Sequence, residues 1–258
     1  MSIQVKKNLP SGTIVLNRPE KRNALTRQML TDLSQAFSDL HGEKQVRAVI
    51  LIGNGPAFCA GMDLSEMQQT AAQPNAQEQW YEDSVQYREL IEQMLQFPKP
   101  IIAAVNGPAV AGGAGLVLAS DIVLATSSAK FGLPEPKRGI VAGMVAPLLA
   151  FRVGGGIATQ LLLRANVIDA AEAHRLGLFQ HLVGEDLIWA QAQEIAKEVA
   201  ESAPEAILLT KRMIYENIGE QMIMQLSAGA AASATARTTE AAVEGLAAFF
   251  EKRAPHWK

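Results

Sequence analysis

Cysteine is almost absent. Cys59 is the sole one in 258 residues. No intrachain disulfide can form, and a reducing compartment is the expectation. Net charge is also small, −3, with acids and bases nearly cancelling. That argues against a surface built to hold nucleic acid. Long apolar runs are missing too. Gly, Pro or Asp interrupts each stretch before the roughly 18 residues that a membrane helix requires, so no span is expected. The opening "MSIQVKKNLPSG" lacks the apolar core of a secretory signal. A cytoplasmic protein is the expectation. The four histidines, His41, His174, His181 and His256, show no metal-ligand spacing, so no metal site is expected. His41 and His174 read as residues of helix ends or faces.

What is present is apolar. Hydrophobic residues make up 48% of the chain, enough for a substantial core in one large domain. "IQVKKN", a Pro-Ser-Gly turn and "TIVLNRP" read as a hairpin. In "LTRQMLTDLSQAFSDLH" the apolar residues Leu25, Met29, Leu30, Leu33, Phe37 and Leu40 recur at helical spacing. "VRAVILIG", "IIAAVNG" and "DIVLAT" read as buried parallel strands. A helix is predicted over 78–97, ended by Pro98 and Pro100. The polar stretch "QQTAAQPNAQEQ", 68 to 79, reads as a mobile loop. After residue 185 the signals are helical: "EDLIWAQAQEIAKEVAES", "PEAILLTKRMIYENI" and the small-residue stretch from Glu220 to Arg253. Strand–helix–strand alternation followed by helices gives an α/β class.

The stretch "AVAGGAGLVLASD", 109 to 121, places Gly112, Gly113 and Gly115 where a helix begins. The first N–H groups of a helix have no partners within it, and glycine lets a ligand approach the backbone. The site would suit a phosphate or a developing oxyanion. Tight helix–sheet packing is the other reading of the same glycines. No dinucleotide-binding or P-loop glycine pattern is present. "NGPAFCAGMDL", 54 to 64, follows an earlier predicted strand in the same manner. Ligands of open α/β sheets gather beyond such carboxyl ends. Two loops of this kind can each offer one N–H to a shared carbonyl oxygen.

"LNRPEKRNAL", "AFCAGMDL", "IIAAVNGPAVAGGAGLVLASDIVLAT", "FGLPEPKRGI", "AAEAHRLGLFQHLV" and "GLAAFFEKRAPHW" occur in this order along the chain. The ordered set resembles the crotonase, or enoyl-CoA hydratase/isomerase, superfamily over essentially the whole length. The resemblance implies a crotonase-like spiral of repeated β-β-α units over 1–195, carrying an acyl-CoA site. It implies a helical region over 196–258 that makes a homotrimer or homohexamer. It implies that the Met62 and Gly112 N–H groups are the oxyanion donors and that Glu135 is the general acid/base. Arg22, Ala60, Asp63, Leu64, Phe249 and Lys252 resemble the coenzyme A site. The basic loop that holds Arg18, Lys21 and Arg22 reads equally as a phosphate contact or a solvated charge cluster. Lys137 and Arg138 are expected to face solvent. Asp63 is expected to shape its loop, Asp121 to hold a turn, and Cys59 to pack.

Two departures from the family pattern stand out. Gly115 occupies the position of the first of two catalytic glutamates, and the space beside it is expected to remain open to the acyl group. On that view Gly115→Glu would restore a second acid. "VAGMVAPLLAFRVG", 141 to 154, replaces a more usual glycine-rich run and is expected to line the acyl pocket. The leading function is hydration of a 2-enoyl-CoA by one glutamate, with no cofactor beyond the coenzyme A of the substrate. A 3,2-enoyl-CoA isomerase, which shuttles a proton with a single base, is the alternative. A non-catalytic acyl-CoA-binding subunit is the third reading.

Overall fold

The computed structural model describes residues 1–257; for residues 216–220 it describes the backbone alone. Strands β1 (Ile3–Asn8) and β2 (Ser11–Leu16) form the expected antiparallel hairpin. Helix α1 (Arg27–Gly42) follows, and the Thr26 hydroxyl caps it by accepting from the Met29 N–H at 3.1 Å. It buries Met29, Leu30, Leu33, Phe37 and Leu40, the stripe read from the sequence. Strand β3 (Ala48–Gly53) runs parallel to β2.

The next segment departs from expectation. The stretch read as a loop over 68–79 is mostly helical. Helix α2 (Leu64–Ala71) ends within it, and α3 (Ala76–Gln96) begins within it. The Asp63 cap and a run of good helix formers outweigh its polarity. Then come β4 (Ile101–Val105), β5 (Ala109–Val110) and α4 (Gly112–Ala119). Strands β6 (Ile122–Thr126) and β7 (Lys130–Gly132) lead through a single 3-10 turn to α5 (Val145–Arg164). The short β8 (Val167–Asp169), α6 (Ala170–Arg175) and β9 (His181–Val183) complete the α/β part. Helices α7 (Ile188–Ala200), α8 (Pro204–Ala236) and α9 (Glu240–Phe250) follow. The tail helices, expected over 204–218 and 220–253, divide instead at 237–239, where Thr239 caps α9.

The six-stranded sheet has the order β1-β2-β3-β4-β6-β9, and a small sheet has the order β5-β7-β8. Each turn of the spiral gives a strand to the large sheet, an extended segment to the small one, then a helix. Thus β4, β5 and α4 make one turn, and β6, β7 and α5 the next. In the preceding turn Cys59 bridges to Ala109 beside β5. The central strands are apolar on both faces because both are covered. Val49 and Leu51 face the core beneath α1, α3 and α4. Ala48 and Ile50 face Ala192 and Ala196 of α7. Helix α7 runs through residue 195, where the boundary between core and tail was expected.

Helix α4 is buried at all eight positions and has no polar face to orient it. Its ends are held instead. Arg152 donates to the Leu118 carbonyl at 2.9 Å and to the Ser120 carbonyl, a cation at the negative end of the helix. Asp121 accepts from Lys211 Nζ at 2.7 Å, from the Tyr215 hydroxyl at 3.0 Å and from the Ile101 N–H at 2.7 Å. This ties α8 to the turn after α4, so Asp121 holds a turn as expected. Helix α5 is long and apolar enough to cross a membrane by length and composition, which counting unbroken runs did not suggest. Gly154, at φ 78° and ψ 157°, breaks it into two shorter helices.

Candidate active site

The loops after β3 and β4 are pressed together. Val110 N–H donates to the Cys59 carbonyl at 3.0 Å. Gly61 lies at φ +87°, and a Cβ there would stand 3.1 Å from Gly112 N and 2.8 Å from Ala111 Cβ. Only glycine serves at that contact. Leu25 N–H donates to the Gly61 carbonyl, and Leu25 C=O accepts from Asp63 N–H, each at 2.8 Å. A parallel bridge of this form turns the intervening Met62 N–H to the opposite side. Gly112 opens α4, so its N–H has no acceptor within the helix. Ala111 before it has φ 53° and ψ −126°, a strained conformation for a residue with a side chain. Its N–H is held by the Gly132 carbonyl at 2.9 Å. That turn swings the start of α4 toward Gly61. Both donors line one cavity of about 480 Å³.

Glu135 lines the same cavity. It lies in the 3-10 turn Glu135–Arg138, between Pro134 and Pro136, and is 7% exposed. Burial pushes its carboxyl up to about 7, against the opposing pull of its own backbone N–H and of Arg138. Its Oε2 has no hydrogen-bond partner among the described residues. Arg138 does not face solvent as expected. It lines the cavity, half-buried, with its guanidinium 4.0 Å from the centre of the Phe249 ring. Helix α9 packs on this turn and holds Arg138 inward. Lys137 is exposed, as expected.

The expected open space beside Gly115 is filled. A Cβ on Gly115 would overlap the Tyr87 hydroxyl oxygen and stand 3.2 Å from Val145 Cγ2. Tyr87 comes from α3, is 3% exposed, and donates to the Gly112 carbonyl at 2.6 Å. Burial, with the nearby Cys59 and Glu135, raises its phenol well above the ordinary value. A neutral hydroxyl donor thus occupies the place where the family pattern puts a carboxylate, and Gly115 is the room it needs.

The remaining expected residues divide. Arg22, Ala60, Asp63, Leu64 and Phe249 line the cavity, as do Lys21 and residues 140–145. Lys252, exposed past the end of α9 at φ 54°, is not among its lining residues. Arg18 turns inward to Asp63 Oδ2 at 3.1 Å and is not among the residues that line the cavity. Asp63 also caps α2 through the Ser65 N–H at 2.9 Å. Burial would raise its carboxyl, but Ser65 and Arg18 outweigh burial and hold it below the usual value. Burial pushes the Cys59 thiol up to about 12, so it stays a neutral packing group. His174 Nδ1 donates to the Phe179 carbonyl at 2.7 Å. No three potential metal ligands come together among the described residues.

The cavity has an exposed, polar mouth and, elsewhere in its lining, deeply buried polar side chains. Glu20, Lys21 and Arg22 at the mouth are exposed, and Phe249 is 42% exposed. Tyr87, Asp83, Ser233 and Arg237 also line the cavity, none more than 9% exposed. None of these four was found from the sequence. Tyr87 and Asp83 follow the helical periodicity of α3 and read as core. Arg237 lies in a small-residue tail with no local motif.

Comparison with known proteins gives one answer. The family model described as enoyl-CoA hydratase/isomerase matches residues 11–258. A putative enoyl-CoA hydratase of Thermus thermophilus is 40% identical over 255 residues, covering 99% of this chain and 100% of that one. The mitochondrial methylglutaconyl-CoA hydratase of Mus musculus is 34% identical over 258 residues, covering 96% of this chain and 80% of that one. A crystal structure of an enoyl-CoA hydratase/isomerase from Pseudoalteromonas atlantica superimposes with TM-score 0.87 at 32% identity, with 100% of both chains covered. With the spiral fold and the paired loops already in place, the chain belongs to the enoyl-CoA hydratase/isomerase family of the crotonase superfamily, and it is an enzyme of that family.

Proposed function

We propose that the enzyme adds water across the double bond of a 2-enoyl-CoA thioester, and catalyses the reverse dehydration. The Met62 and Gly112 N–H groups hold the thioester oxygen. They are backbone donors and need no reorganisation as charge develops on it. The Glu135 carboxylate takes a proton from water as the water oxygen bonds to C3. The electron pair of the double bond moves into an enolate held by the two donors. The Glu135 carboxyl then returns the proton to C2, and the balance is one water added. No cofactor is consumed, since coenzyme A enters as part of the substrate. Arg22, Ala60, Asp63, Leu64 and Phe249 hold its nucleotide end at the mouth. Lys252 completes that site from a neighbouring subunit.

The observation that carries this reading is Glu135: a buried carboxyl raised to about 7, with an unpartnered oxygen, in the cavity shared by Met62 and Gly112. A group poised near neutrality can both take and return a proton. Glu135→Gln keeps the volume and removes the base. Turnover should fall by at least about 10²-fold with thioester binding retained. Near-normal turnover in that variant removes Glu135 from the mechanism.

One observation favours a second reading, 3,2-enoyl-CoA isomerisation. With Tyr87 where a second carboxylate would stand, a single base beside the donor pair suffices to move a proton between C2 and C4. Product analysis separates the two, because hydration yields a 3-hydroxyacyl thioester and isomerisation a displaced double bond. The assembly proposed is a homotrimer or a dimer of trimers. Leu209, Met213, Ile214 and Met224 of α8 and Val243 of α9 are exposed apolar residues that such an assembly would cover.

A further inference from the structure

The buried part of the cavity lining holds a charge without a matching partner. Arg237 follows the last residue of α8, and its side chain lines the cavity. It is 9% exposed. A guanidinium carries five N–H donors. Among the described residues this one has a single acceptor, the Trp80 carbonyl, at the long distance of 3.5 Å. Burying a cation with so few partners is costly unless something else meets it.

The neighbouring carboxylate is already engaged. Asp83 accepts from Arg27 Nε at 2.5 Å and Nη2 at 2.8 Å, and from Gln79 Nε2 at 3.1 Å. That two-point ion pair neutralises Asp83 and leaves Arg237 as the excess positive charge beside it. A cation at the C-terminus of α8 is favourable in itself. That gain is smaller than the cost of burying a guanidinium with one distant acceptor, so the helix end does not account for burial in the cavity wall. Ser233, 5% exposed and one helical turn earlier, lines the same wall and adds a hydroxyl. The mouth is the polar, exposed end suited to the phosphates of coenzyme A. Glu135, Tyr87 and Arg237 line the same cavity, so an acyl group held at the Met62 and Gly112 N–H groups shares that cavity with the Arg237 guanidinium.

We infer that Arg237 is a substrate-recognition residue that binds an anionic carboxylate at the far end of the acyl chain, so that the substrate is an enoyl-CoA bearing a second, free carboxylate. The assignment rests on the acyl-CoA reading above and adds the substrate class. Guanidinium and carboxylate match in planar, two-point geometry. Recognition of this kind also rejects a neutral acyl chain, because the chain would leave the buried cation unpaired.

Two saturated thioesters of equal chain length test this without turnover: glutaryl-CoA, which ends in a carboxylate, and pentanoyl-CoA, which ends in methyl. Calorimetric titration of the wild type should show glutaryl-CoA binding tighter by about 10- to 150-fold, the range of a charge-assisted hydrogen-bonded pair. In Arg237→Met the ratio should fall to about one or below, with pentanoyl-CoA affinity retained. Arg237→Lys should keep part of the preference. A wild-type ratio at or below one overturns the assignment, and that measurement stands even where a variant fails to fold. A preference that survives Arg237→Met in a folded protein overturns it as well. Turnover is read separately with glutaconyl-CoA and 2-pentenoyl-CoA. Failure to hydrate either, with the binding preference intact, counts against the hydratase reading and leaves the carboxylate site standing.

Discussion

Gly115→Ala is the smallest change that tests how the site is built. In an ordinary buried helix, replacing glycine with alanine gains about 0.8–1 kcal/mol. Here the new Cβ would overlap the Tyr87 hydroxyl and press on Val145 Cγ2. Forcing a methyl into a packed interior costs about 1–3 kcal/mol. Displacing Tyr87 also breaks its 2.6 Å bond to the Gly112 carbonyl and strands a buried hydroxyl, at about 1–3 kcal/mol. The costs exceed the helix gain, and the variant should lose roughly 1–5 kcal/mol. Tyr87→Phe removes the overlapping oxygen. In that background the nearest ring atom, Cζ, stands 3.3 Å from the added Cβ, a contact that a small shift relieves. The two substitutions should therefore be non-additive, the pair being less harmful than the sum by about 1–3 kcal/mol. Urea titration of the wild type, both single variants and the double variant, followed by circular dichroism, gives the cycle. A Gly115→Ala protein as stable as the wild type, or a cycle additive within about 0.5 kcal/mol, would refute the filled-space argument. Gly115→Glu alone should misfold or lose activity for the same reason, and a second acid would need Tyr87 shortened as well.

Two further outcomes follow from the site and the surface. Glu135 is raised from 4.5 to about 7 in the folded chain, so its contribution to stability is fully present below about pH 4.5 and is lost as pH rises through about 7. The loss is about 3 kcal/mol and should appear as a difference between wild type and Glu135→Gln in urea midpoints across pH 4 to 8; parallel curves would reject it. As a base, Glu135 should make kcat/KM rise through neutral pH in the free enzyme. The solution mass should be a multiple of three chains by light scattering, and a stable, active monomer at micromolar concentration would sink the trimer proposal.

What the sequence made legible is the part of the site built from backbone and short motifs. Gly61 and Gly112 stand where two chain segments touch, and glycine at such a contact is visible in one dimension. Glu135 sits in a turn bounded by prolines, and its own segment carries it to the cavity. The central strands announce themselves by apolar residues that alternate between two covered faces. Helix α2 was missed because polarity was given more weight than the Asp63 cap before it.

The illegible part depends on three helices far apart in sequence. Tyr87 on α3, Gly115 on α4 and Arg237 at the end of α8 line or shape one cavity only after those helices pack. On α3 a tyrosine at the core spacing of Trp80, Ser84 and Ile91 looks like packing, which it also is. Its hydroxyl acquires meaning only from the glycine opposite. A glycine at a catalytic position therefore has two physical explanations. It can mark a lost side chain, or it can be the space that a distant side chain requires. The Tyr87 hydroxyl, overlapping any Cβ at Gly115 and bonded to the Gly112 carbonyl, decides for the second. Seen that way, Tyr87 and the buried Arg237 shape one cavity. On the proposed reading, Tyr87 bears on how water is delivered to C3, and Arg237 on which acyl group brings C3 there.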